Sequence, residues 1–85
     1  MTEHAGLPVA GYQPQTTERV NLVNENKRLE EQVLRVLDAL AASKQCDARW
    51  LAIGRTAIEN GFMAVNRAVF QPSRATLPSD PAAQA

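Results

Sequence analysis

The chain is 85 residues long and carries nine basic and nine acidic side chains, so its formal net charge is zero. Proteins that bind duplex nucleic acid neutralise many phosphates and are usually markedly basic, which disfavours a polynucleotide partner here. No apolar run approaches the roughly 18 residues of a membrane span, and we expect no membrane partner. The single cysteine, Cys46, excludes an intramolecular disulfide and is typical of a reducing cytosol.

Both ends of the chain have compositions that disfavour regular structure. Residues 1–11 contain two glycines and a proline without an apolar period, and they lack the basic and apolar regions of a signal peptide, so we predict a flexible N-terminus. Residues 73–85 are mostly Pro, Ser, Ala and Gln, which predicts a disordered tail. Residues 12–72 remain as the folded domain. A lone core is marginal at that length, and oligomerisation is the expected remedy.

The first predicted helix runs from Thr17 to about Ser43, a stretch without Gly or Pro, and Thr16 or Thr17 is its predicted N-cap. Apolar residues recur at helical spacing along two adjacent stripes. The main seam is Leu22, Asn26, Leu29, Val33, Val36 and Leu40, and the second stripe is Val20, Val23, Lys27, Glu30, Leu34, Leu37 and Ala41. Asn26 is the polar member of the main seam and is expected to fix the register between packed helices.

A short join and a second helix follow. Residues 42–46 form the predicted join, and Asp47 is the predicted N-cap of the second helix. That helix runs to about Phe70 or Gln71, because Pro72 cannot continue it.

The second helix also carries two stripes. Its main seam, interrupted by Arg55, is Leu51, Ile58, Phe62, Val65 and Val69, and the stripe beside it is Trp50, Ile53, Ala57, Gly61, Ala64 and Ala68. Glycine in a helix interior costs about 1 kcal/mol relative to alanine. Gly61 therefore indicates that another helix approaches closely across this smooth stripe.

The predicted fold class is all-α. Because the join is short, the two helices become antiparallel neighbours, and the architecture is a two-helix hairpin with a short N-terminal segment. Each helix has a broader apolar face than one partner helix can cover. We therefore expect the hairpin to assemble into a compact helical homo-oligomer.

The residues that catalysis would need are scarce. His4 is the only histidine and stands in the predicted flexible N-terminus, while Cys46 has no second cysteine or nearby histidine. Glu30 and Glu31 are adjacent and so point about 100° apart on a helix, which is poor geometry for a shared acid–base site. No phosphate-binding loop or metal-ligating motif occurs. We expect no enzymatic activity, no metal and no cofactor.

Four residues are candidates for a binding role. Lys27, Arg55 and Arg67 stand among apolar stripes, where the ordinary interpretation is a cationic side chain that reaches water while its stem packs. Tyr12, in the stretch 11–14, is either an anchor for chain entry into the first helix or a contact for a ligand. The residues alone leave both interpretations open.

Four stretches taken in order resemble a known family. GY at 11–12, VNLVNENK at 20–27, RWLAIGRT at 49–56 and GFMAVNRAVFQP at 61–72 are similar to the phage anti-CBASS sponges. The related Thoeris inhibitors share the helical hairpin of that family. The resemblance covers roughly residues 11–72, nearly all of the predicted folded domain.

The resemblance implies a phage protein that acts in the cytoplasm of the infected bacterium. Family members form compact oligomers, typically hexamers, and hold the host's cyclic dinucleotides intact, away from the effector that the signal would activate. By this resemblance Tyr12 stacks on a base of the dinucleotide and Lys27 meets its phosphates. Some members also bind cyclic trinucleotides at a separate three-fold site through an arginine late in the second helix, where Arg67 stands.

Other functions stay open on the sequence. The shared hairpin also fits a sponge for cyclic ADP-ribose-type Thoeris signals. A purely structural helical module would oligomerise without binding any small ligand. A nucleic-acid-binding module is disfavoured by the zero net charge, and a nuclease by the lack of a metal set or an acid–base pair.

Overall fold

A computed structural model of the chain describes residues 9–81, in which two helices supply the regular structure. Helix α1 spans Thr17–Ser43 and helix α2 spans Ala48–Phe70, so the all-α prediction and both helix ranges are confirmed. Most of the predicted flexible N-terminus with His4, and the last four residues of the predicted tail, lie outside the described residues. Neither helix is long and apolar enough to cross a membrane.

The helix ends follow from local chemistry. Thr16 Oγ1 accepts from the Arg19 backbone N–H at 3.1 Å, and Asp47 Oδ1 accepts from the Trp50 N–H at 2.8 Å. Each cap satisfies one of the N–H groups that a first helical turn leaves without a partner. Both predicted N-caps are thereby confirmed, with Thr16 rather than Thr17 in that role.

Both helices end on a residue in the left-handed region. Lys44 has φ 58° and Gln71 has φ 50°, positions where glycine is usual because a Cβ is unfavourable there. Their N–H groups return to the carbonyls of Ala41 and Arg67. Each helix therefore ends at a residue whose left-handed backbone conformation is unfavourable for a side chain with a Cβ.

Cross-helix polar pairs show that the helices are antiparallel. Asn26 Nδ2 donates to Asn66 Oδ1 at 3.0 Å, and Arg55 pairs with Asp38 at 2.6 Å, so positions rise along α1 as they fall along α2. Asn26 thus contacts the partner helix, as predicted. Arg55 forms an ion pair with a carboxylate of the other helix, whereas the sequence alone favoured a side chain that extends only into water.

The contact between the helices is narrow and runs along the second stripe of α1. Val23 and Leu37 are only 5% and 9% exposed, and they are the only buried hydrophobic residues between residues 9 and 81. Leu22, Leu29 and Val36 of the predicted main seam are more than half exposed. These three residues therefore lie away from the contact with α2, because the apolar arc of α1 is wider than one helix covers and α2 lies over its other side.

The outer faces of both helices stay apolar and exposed. On α2 the predicted main seam is largely half-buried, while the stripe beside it faces outward with Trp50 and Ile53 exposed. A Cβ added at Gly61 would meet no atom within 4 Å. The close helix approach that Gly61 predicts therefore does not occur within the described part of one chain.

Candidate ligand-binding site

A groove of about 510 Å³ lies at the open end of the hairpin, where the chain enters α1 and leaves α2. Its lining is mostly apolar, with amide and guanidinium groups among the apolar side chains. Its lining residues include Tyr12, Gln15, Val20, Asn66, Arg67 and Phe70. An apolar concavity with a few placed polar groups is the usual form of a small-molecule site.

Tyr12 is placed on this groove by a tight turn. Its N–H donates to the Val9 carbonyl at 2.9 Å, and Gly11 takes φ 85°, which favours glycine. Tyr12 is 56% exposed. The ring is therefore available for stacking against a planar ligand.

Arg67 shares the groove with Tyr12. It lies in the last turn of α2, where the negative end of the helix dipole stabilises a cation, and no carboxylate of residues 9–81 pairs with it. An aromatic ring and an unpaired guanidinium thus line one cavity. The family resemblance had led us to expect these two residues in separate sites.

Lys27 lies elsewhere on the surface of one chain. It lines a shallow groove of about 400 Å³ on the outer side of α1, together with Arg28 and Arg35. Arg28 pairs with Glu25 at 2.7 Å and Arg35 with Glu31 at 2.9 Å, so Lys27 is the cation of that groove without an ion pair in the described chain. Tyr12 and Lys27 are not brought together within a single chain.

Gln15 links the entry segment to the end of α2. Its Nε2 donates to the Gln13 carbonyl at 2.8 Å and to the Phe70 carbonyl at 2.9 Å, while its Oε1 is buried and has no hydrogen-bond partner among residues 9–81. Gln15 was not among the candidate residues predicted from the sequence. Its only local signal was a long amide side chain immediately before the N-cap, which is too common to identify a site.

A second cavity, of about 550 Å³, lies at the closed end beside the join. Lys44, Cys46, Arg55 and Thr56 are among its lining residues, and Cys46 is an exposed free thiol. Arg55 is already paired with Asp38. Within residues 9–81 no group of three or more His, Cys, Asp or Glu side chains is placed to hold a metal ion.

The family model described as "Acb2/Tad1, hairpin domain" matches residues 7–70. The matched range includes both helices and the positions of Tyr12, Lys27 and Arg67. No curated protein matches the chain.

Proposed function

The chain belongs to the Acb2/Tad1 hairpin-domain family, and from this premise we propose that it is a phage protein which sequesters cyclic dinucleotides of bacterial CBASS defence without cleaving them. Membership in the family implies an anti-defence sponge that binds cyclic oligonucleotides. Within that family role, we propose that the ligand is a cyclic dinucleotide such as cyclic GMP–AMP and that Tyr12 and Lys27 bind it. It places the protein in the cytoplasm of the infected cell.

The observation that carries the proposal is the accessible Tyr12 ring on an apolar groove. Stacking on an aromatic side chain contributes about 1–3 kcal/mol per base, and a charge-assisted bond to phosphate about 1.5–3 kcal/mol. Two rings and two lysines give roughly 5–12 kcal/mol before the cost of association. Nanomolar affinity needs about 12 kcal/mol. Polar groups of the groove such as Asn66 must therefore contribute as well.

The separation of Tyr12 from Lys27 supports a site between two copies. A cyclic dinucleotide has two bases, two phosphates and near two-fold symmetry, and a two-fold interface presents every residue twice. One chain then supplies the ring and the other supplies the ammonium group. Arg67 is proposed for a second site that takes cyclic trinucleotides.

The exposed apolar faces support the homo-oligomer that such a site requires. With only Val23 and Leu37 buried in the described chain, one hairpin has too small a core to be stable alone. Large apolar residues remain exposed on both helices, among them Leu22, Leu29, Val36, Trp50, Ile53 and Met63. We propose that copies of the hairpin cover these faces, with a hexamer as the expected assembly.

Gly61 offers a direct test of the assembly. In an isolated hairpin Gly61→Ala should raise stability by about 1 kcal/mol, because a helical glycine is replaced where space is open. If another copy packs on this stripe, the same change should weaken the assembly. Thermal unfolding measures the stability, and sedimentation equilibrium measures the assembly, of Gly61→Ala beside Gly54→Ala, a second helical glycine with open space at its Cβ. Stabilisation by both substitutions, with a monomeric wild-type protein, would contradict the oligomer.

Binding without cleavage is tested by calorimetric titration with a panel of cyclic di- and trinucleotides and cyclic ADP-ribose-type signals. Tyr12→Ala and Lys27→Ala should each abolish nanomolar dinucleotide binding while the oligomer persists. Lys44→Ala, at the opposite end of the hairpin, is the matched control and should bind normally. Arg67→Ala should reduce trinucleotide binding. Because Arg67 also lines the groove of Tyr12, the dinucleotide affinity of this variant shows whether Arg67 serves that groove as well. Chromatography after denaturation should recover the ligand intact.

Three outcomes would count against the proposal. Recovery of a linear nucleotide would indicate cleavage. Binding restricted to cyclic ADP-ribose-type signals would favour the Thoeris branch of the same family. A folded oligomer that binds nothing in the panel would leave a structural module.

A further inference from the structure

The segments that flank the helices hold each other at the open end of the hairpin. The Ser73 N–H donates to the Gly11 carbonyl at 2.9 Å, and Gln13 Nε2 donates to Ser73 Oγ at 2.8 Å. Tyr12 stands between Gly11 and Gln13, so both of its chain neighbours are tied to the same residue beyond α2. We call this set, Gly11, Gln13 and Ser73, the terminal clasp.

The backbone at Gly11 is fitted to the clasp. A Cβ at this position would collide with the Ser73 carbonyl oxygen, a backbone atom that cannot move aside as a flexible side chain would. The φ of 85° independently disfavours any side chain there. Two separate features of Gly11 thus depend on the close passage of the segment after α2.

We propose that the terminal clasp positions the Tyr12 ring for ligand binding, with Gly11 and Ser73 as positioning residues that do not touch the ligand. The hydrogen bonds are exposed to water, so each contributes little to stability. Their effect is instead to restrict the short segment that carries Tyr12. A ring held in its binding orientation loses less entropy when the ligand arrives.

The geometry assigns the residues after α2 a role in binding although they lie outside both helices. Gln15 adds a third tie from the entry segment, to the Phe70 carbonyl at the end of α2. The entry segment is therefore fixed at residues 11, 13 and 15, with the Tyr12 side chain free to face the groove. The claim that the clasp favours ligand binding rests on the proposed function. The claim that it holds the Tyr12 ring in one orientation depends on no ligand.

The ring can be observed directly because Tyr12 is the only tyrosine of the chain. Protein labelled with ¹³C-tyrosine gives one set of ring signals, whose shifts and line widths report how well the ring is held. The test variants are Gly11→Ala, which introduces the collision, and Ser73→Pro, which removes the N–H donor. The matched control is Ala75→Pro, a proline in the same segment at a residue whose N–H makes no backbone hydrogen bond in the described chain.

Both test variants should move the Tyr12 signals toward those of a free tyrosine, while Ala75→Pro should leave them unchanged. Helix content by circular dichroism and oligomer size should be the same in all four proteins. Affinity for 3′,3′-cyclic GMP–AMP should fall about fivefold to tenfold in the test variants, mainly through faster dissociation.

The readouts separate the two ideas. Unchanged ring signals in Gly11→Ala and Ser73→Pro would overturn the positioning role, whatever the affinity. Altered ring signals with unchanged affinity would show that ring order does not matter for binding and would overturn it too. A wild-type protein that fails to bind cyclic GMP–AMP counts against the proposed dinucleotide function, and the ring signals then still decide whether the clasp holds Tyr12.

Discussion

The two ends of the hairpin carry grooves of similar size but are held together differently. At the closed end a join of four residues, 44–47, connects the helices, and the cross-helix polar contact there is the exposed pair of Asp38 and Arg55. At the open end no covalent link holds the helices. Instead, hydrogen bonds donated by Gln15, Asn26 and Ser73 hold this end of the hairpin together.

The difference shows at which end specific noncovalent contacts are needed to hold the two helices in place. A short covalent join already limits how far two helices can separate, so a weak surface ion pair suffices beside it. The open end has no such limit, and amide and backbone groups fix the helix register and the entry segment. The candidate ligand groove lies at this end, where the geometry depends on noncovalent bonds.

The largest effect on stability is expected at the apolar contact between the two helices. Leu37→Ala should lower the free energy of unfolding by about 3 kcal/mol, because a buried leucine leaves a cavity in a contact with few other buried residues. Urea denaturation at a fixed protein concentration measures it. Leu77→Ala, the same change at an exposed leucine outside the helices, is the control. Equal effects of both substitutions would contradict a narrow contact centred on Val23 and Leu37.

A smaller effect is expected for the polar pair on the open-end side. Asn26→Ala and Asn66→Ala should each cost about 1 kcal/mol, since each leaves a half-buried amide without its partner. A double-mutant cycle should give a coupling energy of about 0.5–1 kcal/mol. Strictly additive effects would mean that the two amides do not interact in solution.

A gain of stability is expected from the cap of α1. Lys44→Gly should raise the free energy of unfolding by about 0.5–1 kcal/mol, because a left-handed residue at a helix end favours glycine. Thermal unfolding beside Lys44→Ala measures it, since alanine keeps the unfavourable Cβ. If both variants gained equally, loss of the charge rather than relief of the backbone would be the cause.

The smallest effect is expected at the closed end. Asp38→Asn should cost less than about 0.5 kcal/mol, because the Asp38 side chain is 66% exposed and water screens its pairing with Arg55. The loss should shrink further at about 1 M salt. A cost as large as that of Asn26→Ala would contradict the contrast between the ends.

Local patterns made the elements of this protein predictable. The helix ranges and the caps at Thr16 and Asp47 follow from residues within a few positions of each other. A cap needs a side-chain oxygen three residues before an N–H, and an amphipathic helix needs a period of 3.6. Such features are visible without knowing what the helices pack against.

The candidate site was predictable only in part. The family resemblance identified Tyr12, Lys27 and Arg67 as candidates, and their proposed roles stay predictions. Sequence reasoning did not place Tyr12 beside Arg67. It also assigned Ser73 to the predicted tail, because a hydrogen bond between residues 62 positions apart leaves no period or motif in the sequence.

The sequence by itself determined an all-α hairpin with surplus apolar surface, since composition, periodicity and caps are properties of neighbouring residues. Only the tertiary structure decided which apolar stripe of α1 meets α2, because two adjacent stripes are almost equally apolar and their choice depends on the angle at which the helices meet. The tertiary structure likewise formed the groove of Tyr12 and Arg67 and the terminal clasp. Those arise where segments distant in sequence meet, and such contacts leave no local period or motif from which they could be predicted.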